Sequence, residues 1–408
     1  MLFCFASHAQ NWINFNDTNS LILENYRNNV AVDNNGIIWI QTDHTLASYN
    51  DGIWQMYDFN TMGLQFQSVF PIPLVVDTSN HLWFLAENFL VEFDGTNFIT
   101  HDTIGLGSYQ IEDMAINKKD NAIWFATGWG LVKYLGGNFT RFTTSNSGLT
   151  FNEVRDVTVD TNGWIWSIVY DPTYYLPVIR FDNTSWWMPY QGVFDGTTWH
   201  GPRCIQADNC GNVWWGMENG IPVRKYLNGV LDSFPPQGAV SILPISIDRI
   251  GNPWFHNLIS PLLIFYYDGS SWLYVDGHDY GITYNCLGVR SFAFDNYGNT
   301  WMGTDYGVVV FNPNGLSLQT PHNVSSNLLH VYPSLAKNSI TIDGRFAGKK
   351  IAIKVFDSMG KIMIEKPETP AADKFKLDVN TLPEGIYFIQ LRDENNGDIF
   401  SSKFIKNN

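Results

Sequence analysis

Tryptophan returns along this 408-residue chain at a nearly fixed interval: Trp39, Trp83, Trp124, Trp166, Trp214, Trp254 and Trp301 are separated by 44, 41, 42, 48, 40 and 47 residues. Six of the seven have an aspartate six positions earlier (Asp33, Asp77, Asp160, Asp208, Asp248 and Asp295), and all seven have Gly or Asn three positions earlier (Gly36, Asn80, Asn121, Gly163, Gly211, Gly251 and Gly298). Glycine enters the left-handed backbone region freely and asparagine tolerates it, so a position restricted to these two predicts positive φ in a tight hairpin. The aspartate before it predicts a side chain that accepts hydrogen bonds from its own turn. Repetition with a period of about 40–45 residues is the pattern of β-propeller blades.

Each unit reads as four strands. In the first, Val30-Ala-Val-Asp33 and Ile37-Ile-Trp-Ile40 flank the turn. The third unit departs from the pattern, because Asn117 stands seven residues before Trp124 and its turn carries one extra residue. A third strand then ends in an aromatic followed by a turn, as in Tyr49-Asn-Asp-Gly52, Phe93-Asp-Gly95 and Tyr267-Asp-Gly269. Such turns between apolar runs predict hairpins. A fourth strand is expected to begin at Trp54, Phe98, Phe139, Trp186, Phe234 and Trp272. The seventh unit stops at Phe311-Asn-Pro-Asn-Gly315, and Asn11-Trp-Ile-Asn-Phe15 resembles the fourth strand Gly52-Ile-Trp-Gln-Met-Tyr57. The fold class is therefore all-β, a seven-bladed propeller closed by an N-terminal strand, which removes open sheet edges. The repeated Trp, Asp and Gly residues belong to the scaffold rather than to a site.

The propeller is expected over residues 10–316 and a linker over 317–329, inside the Pro-, Gly-, Ser- and Asn-rich stretch Pro313 to Asn327. A second small β domain follows over 330–408. Residues 1–330 carry 12 Lys and Arg against 29 Asp and Glu, a net of −17, whereas residues 331–408 carry 12 against 10, a net of +2. So acidic a propeller lacks the footprint of a nucleic-acid binder. Cys4, Cys204, Cys210 and Cys286 have no zinc-site spacing, and a Cys204–Cys210 bond would distort the hairpin between them, so free thiols are expected. The histidines form no motif, and neither a metal nor another cofactor is expected. No run of 18 apolar residues is present to predict a transmembrane helix. Residues 1–9, Met1-Leu-Phe-Cys-Phe-Ala-Ser-His-Ala9, read as the remnant of a secretory signal peptide.

Two family resemblances cover nearly the whole chain. The repeats resemble those of two-component-regulator propellers, most closely in Asp295-Asn-Tyr-Gly-Asn-Thr-Trp-Met-Gly-Thr304 and in Trp124-Phe-Ala-Thr127 followed by Gly130-Leu131 and Tyr134. No membrane helix or kinase follows here, so that resemblance implies the fold and not a signalling role. The C-terminal segment resembles the type A sorting domain of the type IX secretion system of Bacteroidetes. It does so through Val331-Tyr332-Pro333, Val355-Phe-Asp357-Ser-Met-Gly360-Lys361, Leu377-Asp-Val379, Leu382-Pro-Glu-Gly385-Ile-Tyr387 and Lys403-Phe-Ile-Lys406. Ser334-Leu335 replaces the Asn-Pro that usually follows Tyr-Pro in that family. Alternation in Lys350-Ile-Ala-Ile-Lys-Val-Phe356 and Ile386-Tyr-Phe-Ile-Gln-Leu391 supports a small Ig-like β-sandwich. The resemblance implies the secretion machinery as partner, export through the periplasm, and a monomer released or attached at the cell surface.

In a propeller the connections from strand two to three and from strand four to the next blade share one face. That face collects Trp129, Tyr174, Tyr175, Trp199, His200, Tyr280, Tyr284 and Tyr306, with Asp43, His44, Glu87, Asp171, Glu218 and Asp305 among them. Aromatic rings beside carboxylates suit a neutral carbohydrate or a peptide, and loops on rigid scaffolds carry function. Packing of the same rings against blade ends is an equally good reading. The competing enzyme reading rests on similarity to streptogramin-type lyases, which also have Trp-containing seven-fold repeats. It needs histidines such as His200, His256 or His278 to converge with carboxylates, and no catalytic motif is present.

Overall fold

The computed structural model describes residues 12–17, 19–22, 28–42, 44–50, 52–59, 74–86, 89–102, 111–194, 199–217, 223–234, 242–257, 263–276, 288–305, 307–312, 316, 330–333, 335–343, 346, 349–357, 361–370, 374–393 and 399–407. The proposed leader, residues 1–9, lies outside them. All regular structure among them is β. The chain divides into two compact units, one of Met1–Asp43 and Gln65–Leu316, the other of His44–Leu64 and Ser317–Asn408.

Every Trp-bearing unit builds one four-stranded antiparallel sheet. After β1 (Trp12–Phe15), the first sheet holds β2 (Asn29–Val32), β3 (Ile38–Gln41), β4 (Thr45–Asn50) and β5 (Ile53–Asp58). The second holds β6 (Val75–Val76), β7 (Leu82–Ala86), β8 (Phe89–Phe93) and β9 (Phe98–Asp102). The third holds β10 (Ile111–Asn117), β11 (Ala122–Thr127), β12 (Gly130–Leu135) and β13 (Asn138–Phe142). The fourth holds β14 (Val154–Val159), β15 (Ile165–Val169), β16 (Val178–Phe181) and β17 (Trp186–Tyr190), and a small hairpin of β18 (Val193–Phe194) and β19 (Trp199–His200) follows it. The fifth holds β20 (Pro202–Ala207), β21 (Val213–Met217), β22 (Val223–Leu227) and β23 (Val230–Phe234). The sixth holds β24 (Ile242–Ile247), β25 (Pro253–Asn257), β26 (Leu263–Tyr267) and β27 (Trp272–Asp276). In the last sheet β28 (Ser291–Phe294), β29 (Thr300–Thr304) and β30 (Gly307–Phe311) are completed by β1, with Trp12 opposite Phe311 and Phe15 opposite Val308. First strands of successive sheets are neighbours, β2 by β6, β6 by β10, β10 by β14, β14 by β20, β20 by β24 and β24 by β28, and β28 returns to β2. This is the arrangement of a β-propeller.

The turn chemistry follows the repeat. All seven Gly or Asn positions have φ between 57° and 93°. In the six units with the aspartate, one carboxylate oxygen accepts the turn's own N–H groups, as Asp160 Oδ1 does from Asn162 at 2.8 Å and Trp164 at 3.0 Å. The other oxygen accepts the indole N–H of the tryptophan six residues on, at 2.9 to 3.1 Å in every case. Aspartate thus ties its turn to the buried ring. In the third unit the extra residue closes the turn from Asn121 N to Asn117 O at 2.8 Å, and the buried Trp124 Nε1 finds no hydrogen-bond partner among the described residues. Neighbouring turns also interlock: Asn80 Oδ1 accepts Asn34 N at 2.7 Å and Asn121 Oδ1 accepts the Thr78 hydroxyl at 2.7 Å.

Phe234 corrects one expectation, since it ends β23 rather than opening it. Asn228 and Gly229 both take positive φ, 49° and 90°, which makes a two-residue hairpin and starts the strand at Val230. Cys204 and Cys210 are both thiols outside any disulfide, the first buried and the second exposed. Burial, reinforced by the Asp156 carboxyl, pushes the Cys204 thiol far up.

The C-terminal domain pairs a three-stranded sheet, β31 (His330–Tyr332), β33 (Ser339–Asp343) and β36 (Lys374–Asp378), with a five-stranded one. The latter holds β32 (Leu335–Ala336), β38 (Ile399–Lys406), β37 (Gly385–Asp393), β34 (Lys350–Asp357) and β35 (Ile362–Pro370). Ile340 and Leu377 from one sheet and Ile353, Ile389 and Phe404 from the other share its core. The motif residues build this domain. Tyr332 precedes Pro333 through a cis peptide bond. Asp357 and Lys361 close a turn with bonds of 3.0 and 2.9 Å. Gly385 opens β37, the buried Tyr387 donates its hydroxyl to Pro383 O at 3.0 Å, and Lys406 is buried. Lys403 pairs with Phe388 through the backbone, and Gly360 lies outside the described residues.

Candidate functional site

The third and fourth sheets present their connections at one end, and backbone bonds fix them to each other. Thr127 Oγ1 donates to Gly130 O at 2.7 Å and accepts Trp129 N at 3.2 Å, while Arg141 Nη1 donates to Trp129 O at 2.8 Å. Gly130 is required there: its φ is 114°, and an added Cβ would stand 2.3 Å from Phe142 O. The next connection, residues 143–153, docks on both sides, since Gly130 N donates to Asn152 O and Tyr170 N to Glu153 O. Four aromatic side chains remain solvent-facing on these connections: Trp129 is 47% exposed, Phe151 41%, Tyr170 46% and Tyr174 39%. The Arg155 guanidinium lies 5.0 Å from the Tyr170 ring centroid and pairs with Glu153. Burial raises the Glu112 carboxyl, with Arg155 opposing and Glu153 reinforcing the shift.

Tyr174 sits on a tightly held turn. The buried Asp171 accepts Thr173 N at 2.7 Å and Tyr174 N at 3.4 Å, and Gly192 N donates to Tyr174 O at 2.9 Å. Tyr175 and Leu176 follow with φ of 50° and 52°. Consecutive non-glycine residues in this region cost about 1–2 kcal/mol each, a cost the surrounding bonds offset.

Of the residues singled out from the sequence, Trp129 lies on a connection of the third sheet and Tyr174 and Tyr175 on a connection of the fourth. Trp199 and His200 pair with Phe194 and Val193 in the β18–β19 hairpin through their backbones. Tyr280, Tyr284 and Tyr306 lie outside the described residues, as do Asp43, Glu87, Glu218 and His278. Asp171 is a turn-former, Asp305 holds Arg290 at 2.8 and 3.1 Å, and His256 is buried in β25. Phe151, Tyr170 and Arg155 were not anticipated. One histidine cluster was also missed. Glu92 bridges His81 Nδ1 at 2.6 Å and His101 Nε2 at 3.0 Å, and Tyr134 OH is 2.9 Å from His101 Nδ1. His81 belongs to the Asp77 turn, so this cluster lies toward the opposite end of the sheets from Trp129. Among the described residues no group is arranged to hold a metal ion.

Comparison with known proteins agrees with this architecture. Residues 330–407 match the Secretion system C-terminal sorting domain family. That domain directs export by the type IX system to the cell surface or the extracellular space. No curated protein matches the chain. The extracellular domain of the hybrid two-component system BT3049 from B. thetaiotaomicron is similar in structure, with TM-score 0.57 and 17% identity over 98% of this chain and 58% of that one. This chain thus spans little more than half the length of that relative. Virginiamycin B lyase from Staphylococcus aureus, solved as a catalytically inactive variant with quinupristin, gives TM-score 0.57 and 12% identity over 74% of this chain and 98% of that one. YCF48 bound to D1 peptide gives 0.51 and 10%, over 76% and 97%. At these identities the likeness carries the fold alone. No helix among the described residues is long and apolar enough to cross a membrane.

Proposed function

We propose that the protein is an exported seven-bladed propeller whose loop face binds an extracellular carbohydrate or peptide, and that its Ig-like C-terminal sandwich is the address for the type IX machinery. Seven Trp-bearing units, each a four-stranded sheet in an order that returns on itself, support the blade count. The Tyr387 hydroxyl bonded back to Pro383 O, near the start of its strand, supports the Ig-like reading. The observation that carries ligand binding is the group of exposed rings Trp129, Phe151, Tyr170 and Tyr174 on connections that are themselves rigidly bonded. Exposed rings on mobile loops would lose entropy on binding; rings held in place before the ligand arrives lose little. The sequence adds Trp199, His200, Tyr280, Tyr284 and Tyr306 to the residues proposed for ligand binding, the three tyrosines lying outside the described residues.

The test is binding of the purified full-length protein to glycan and peptide arrays, followed by titration with Trp129→Ala and Tyr174→Ala. Aromatic contacts of this kind contribute roughly 0.5–1.5 kcal/mol beyond their area, so each variant is expected to weaken a genuine ligand about tenfold. Silence on both arrays, or a ligand indifferent to both variants, removes the proposal.

A further inference from the structure

Below the aromatic connections, the inner strands of the third, fourth and fifth sheets share an irregularity. The pairing register of β10 with β11 shifts between Ile111 and Asp113, that of β14 with β15 between Val154 and Asp156, and that of β20 with β21 between Pro202 and Cys204. A bulge re-aims the side chain that follows it. Here those residues are Asp113, Asp156 and Cys204, on three neighbouring strands.

The re-aimed carboxyls link one sheet to the next. Val157 N of β14 donates to Asp113 Oδ2 at 3.0 Å, and Ile205 N of β20 donates to Asp156 Oδ2 at 3.1 Å. Uncharged residues make the same kind of link elsewhere: Thr158 Oγ1 accepts Ala207 N at 3.1 Å and Ser291 Oγ accepts Val30 N at 2.9 Å. What sets the aspartates apart is that Asp113 Oδ2, held on the Val157 N–H, stands beside the neighbouring Asp156, so that two carboxyl groups meet at one point between β10 and β14. Ionised carboxylates only accept, so a bond between two of them requires a proton in the pair.

We propose that Asp113 and Asp156 form a proton-operated latch between the third and fourth sheets: one shared proton locks β10 to β14, and its loss turns the contact into repulsion between two carboxylates. Both side chains show some surface yet are densely enclosed, and it is the enclosure that makes a second negative charge costly. Burial raises both carboxyls, Asp156 the more strongly because the Asp113 charge adds to it. The charged and titratable groups on the strands around the pair are Glu112 beside Asp113, Glu153 and Arg155 beside Asp156, and Arg203 and Cys204 on β20. The facing strands β6, β11, β15 and β21 contribute none. Arg155 is committed to Glu153 and Tyr170, and Cys204 stays neutral.

The sign follows from linkage. A carboxyl raised in the folded state binds more protons there than in the unfolded chain, so stability falls as pH rises above about 4 toward the raised value. One such proton lowers the unfolding midpoint by roughly 2–4 °C per pH unit in that window. Asp156→Asn places an amide where the protonated acid stands, with Nδ2 able to donate to Asp113 and Oδ1 to accept Ile205 N. Thermal unfolding of the full chain against pH is expected to lose this slope in Asp156→Asn, and equally in the mirror variant Asp113→Asn. Ser291→Ala, an uncharged link, should lower the midpoint by the same amount at every pH. A wild-type slope retained in either aspartate variant overturns the latch. Should both variants fail to fold, carboxyl ¹³C resonances of the wild type followed against pH decide: one of the pair titrating above the ordinary carboxylate range supports it, both titrating within that range refutes it. Any effect of the latch on the loop face rests on the ligand reading above, whereas these measurements do not.

Discussion

Two tryptophans in equivalent places, one with its aspartate and one without, isolate the value of the repeated turn. Trp166 is 1% exposed and donates to Asp160 Oδ2 at 2.9 Å; Trp124 is fully buried with its indole N–H unpartnered among the described residues. Each carries a cation at 5.6 Å from the ring, Arg180 and Lys133 respectively, so that contribution largely cancels. Replacing either by Phe removes a similar piece of apolar ring. Trp166→Phe also breaks a hydrogen bond to a charged group, about 1.5–3 kcal/mol, and leaves a buried carboxylate oxygen short of a donor. Trp124→Phe removes an unsatisfied donor whose burial costs about 1–3 kcal/mol, which offsets part of the lost packing. Trp166→Phe should therefore be the more destabilising by at least about 2 kcal/mol. Isothermal urea unfolding followed by far-UV circular dichroism measures both on the same footing. Equal losses, or a larger loss for Trp124→Phe, would refute the idea that the Asp–indole bond is the main energetic contribution of the repeated turn.

Gly130→Ala puts a methyl against Phe142 O at 2.3 Å in a left-handed turn; a loss of about 2 kcal/mol or more is expected from clash and strain together, measured by the same unfolding assay. Gly137→Ala, also at positive φ but with open space around it, should lose only the backbone cost of about 1 kcal/mol. Deleting residues 331–408 should leave the protein in the periplasm, seen by cell fractionation; normal surface display of the truncated chain would overturn the sorting role.

The parts of this fold that could be read in advance are those where one residue type answers a local backbone demand. Gly36 and Asn80 stand where φ is positive, and Trp12 marks a fourth strand missing at the other end. The aspartate's second task was hidden, because a six-residue offset says nothing of direction until both strands of the hairpin are built. Side chains that meet across strands were hidden for the same reason. His101 reaches Glu92 because β9 pairs with β8, and Asp113 meets Asp156 only after two bulges and a change of sheet. Of the candidate face, Trp129 and Tyr174 stood out as rings beside turn residues. Phe151 and Tyr170 did not, since only the bonds from Gly130 and Tyr170 to the 151–153 segment reveal what they are fixed against.

The last sheet is assembled from both ends of the propeller, so the ring has a seam. Trp12 opposes Phe311, and closing a loop of that length costs about 5 kcal/mol of chain entropy, set against one strand of four residues. The other sheets of the propeller are made of consecutive strands and pay no such cost. Opening is therefore expected to begin at the β1–β30 ladder, where amide hydrogens should exchange first. A circular permutant that carries Trp12–Phe15 directly after Phe311 would turn the seam into an ordinary hairpin. The long-range closure would then fall to the contacts between sheets alone.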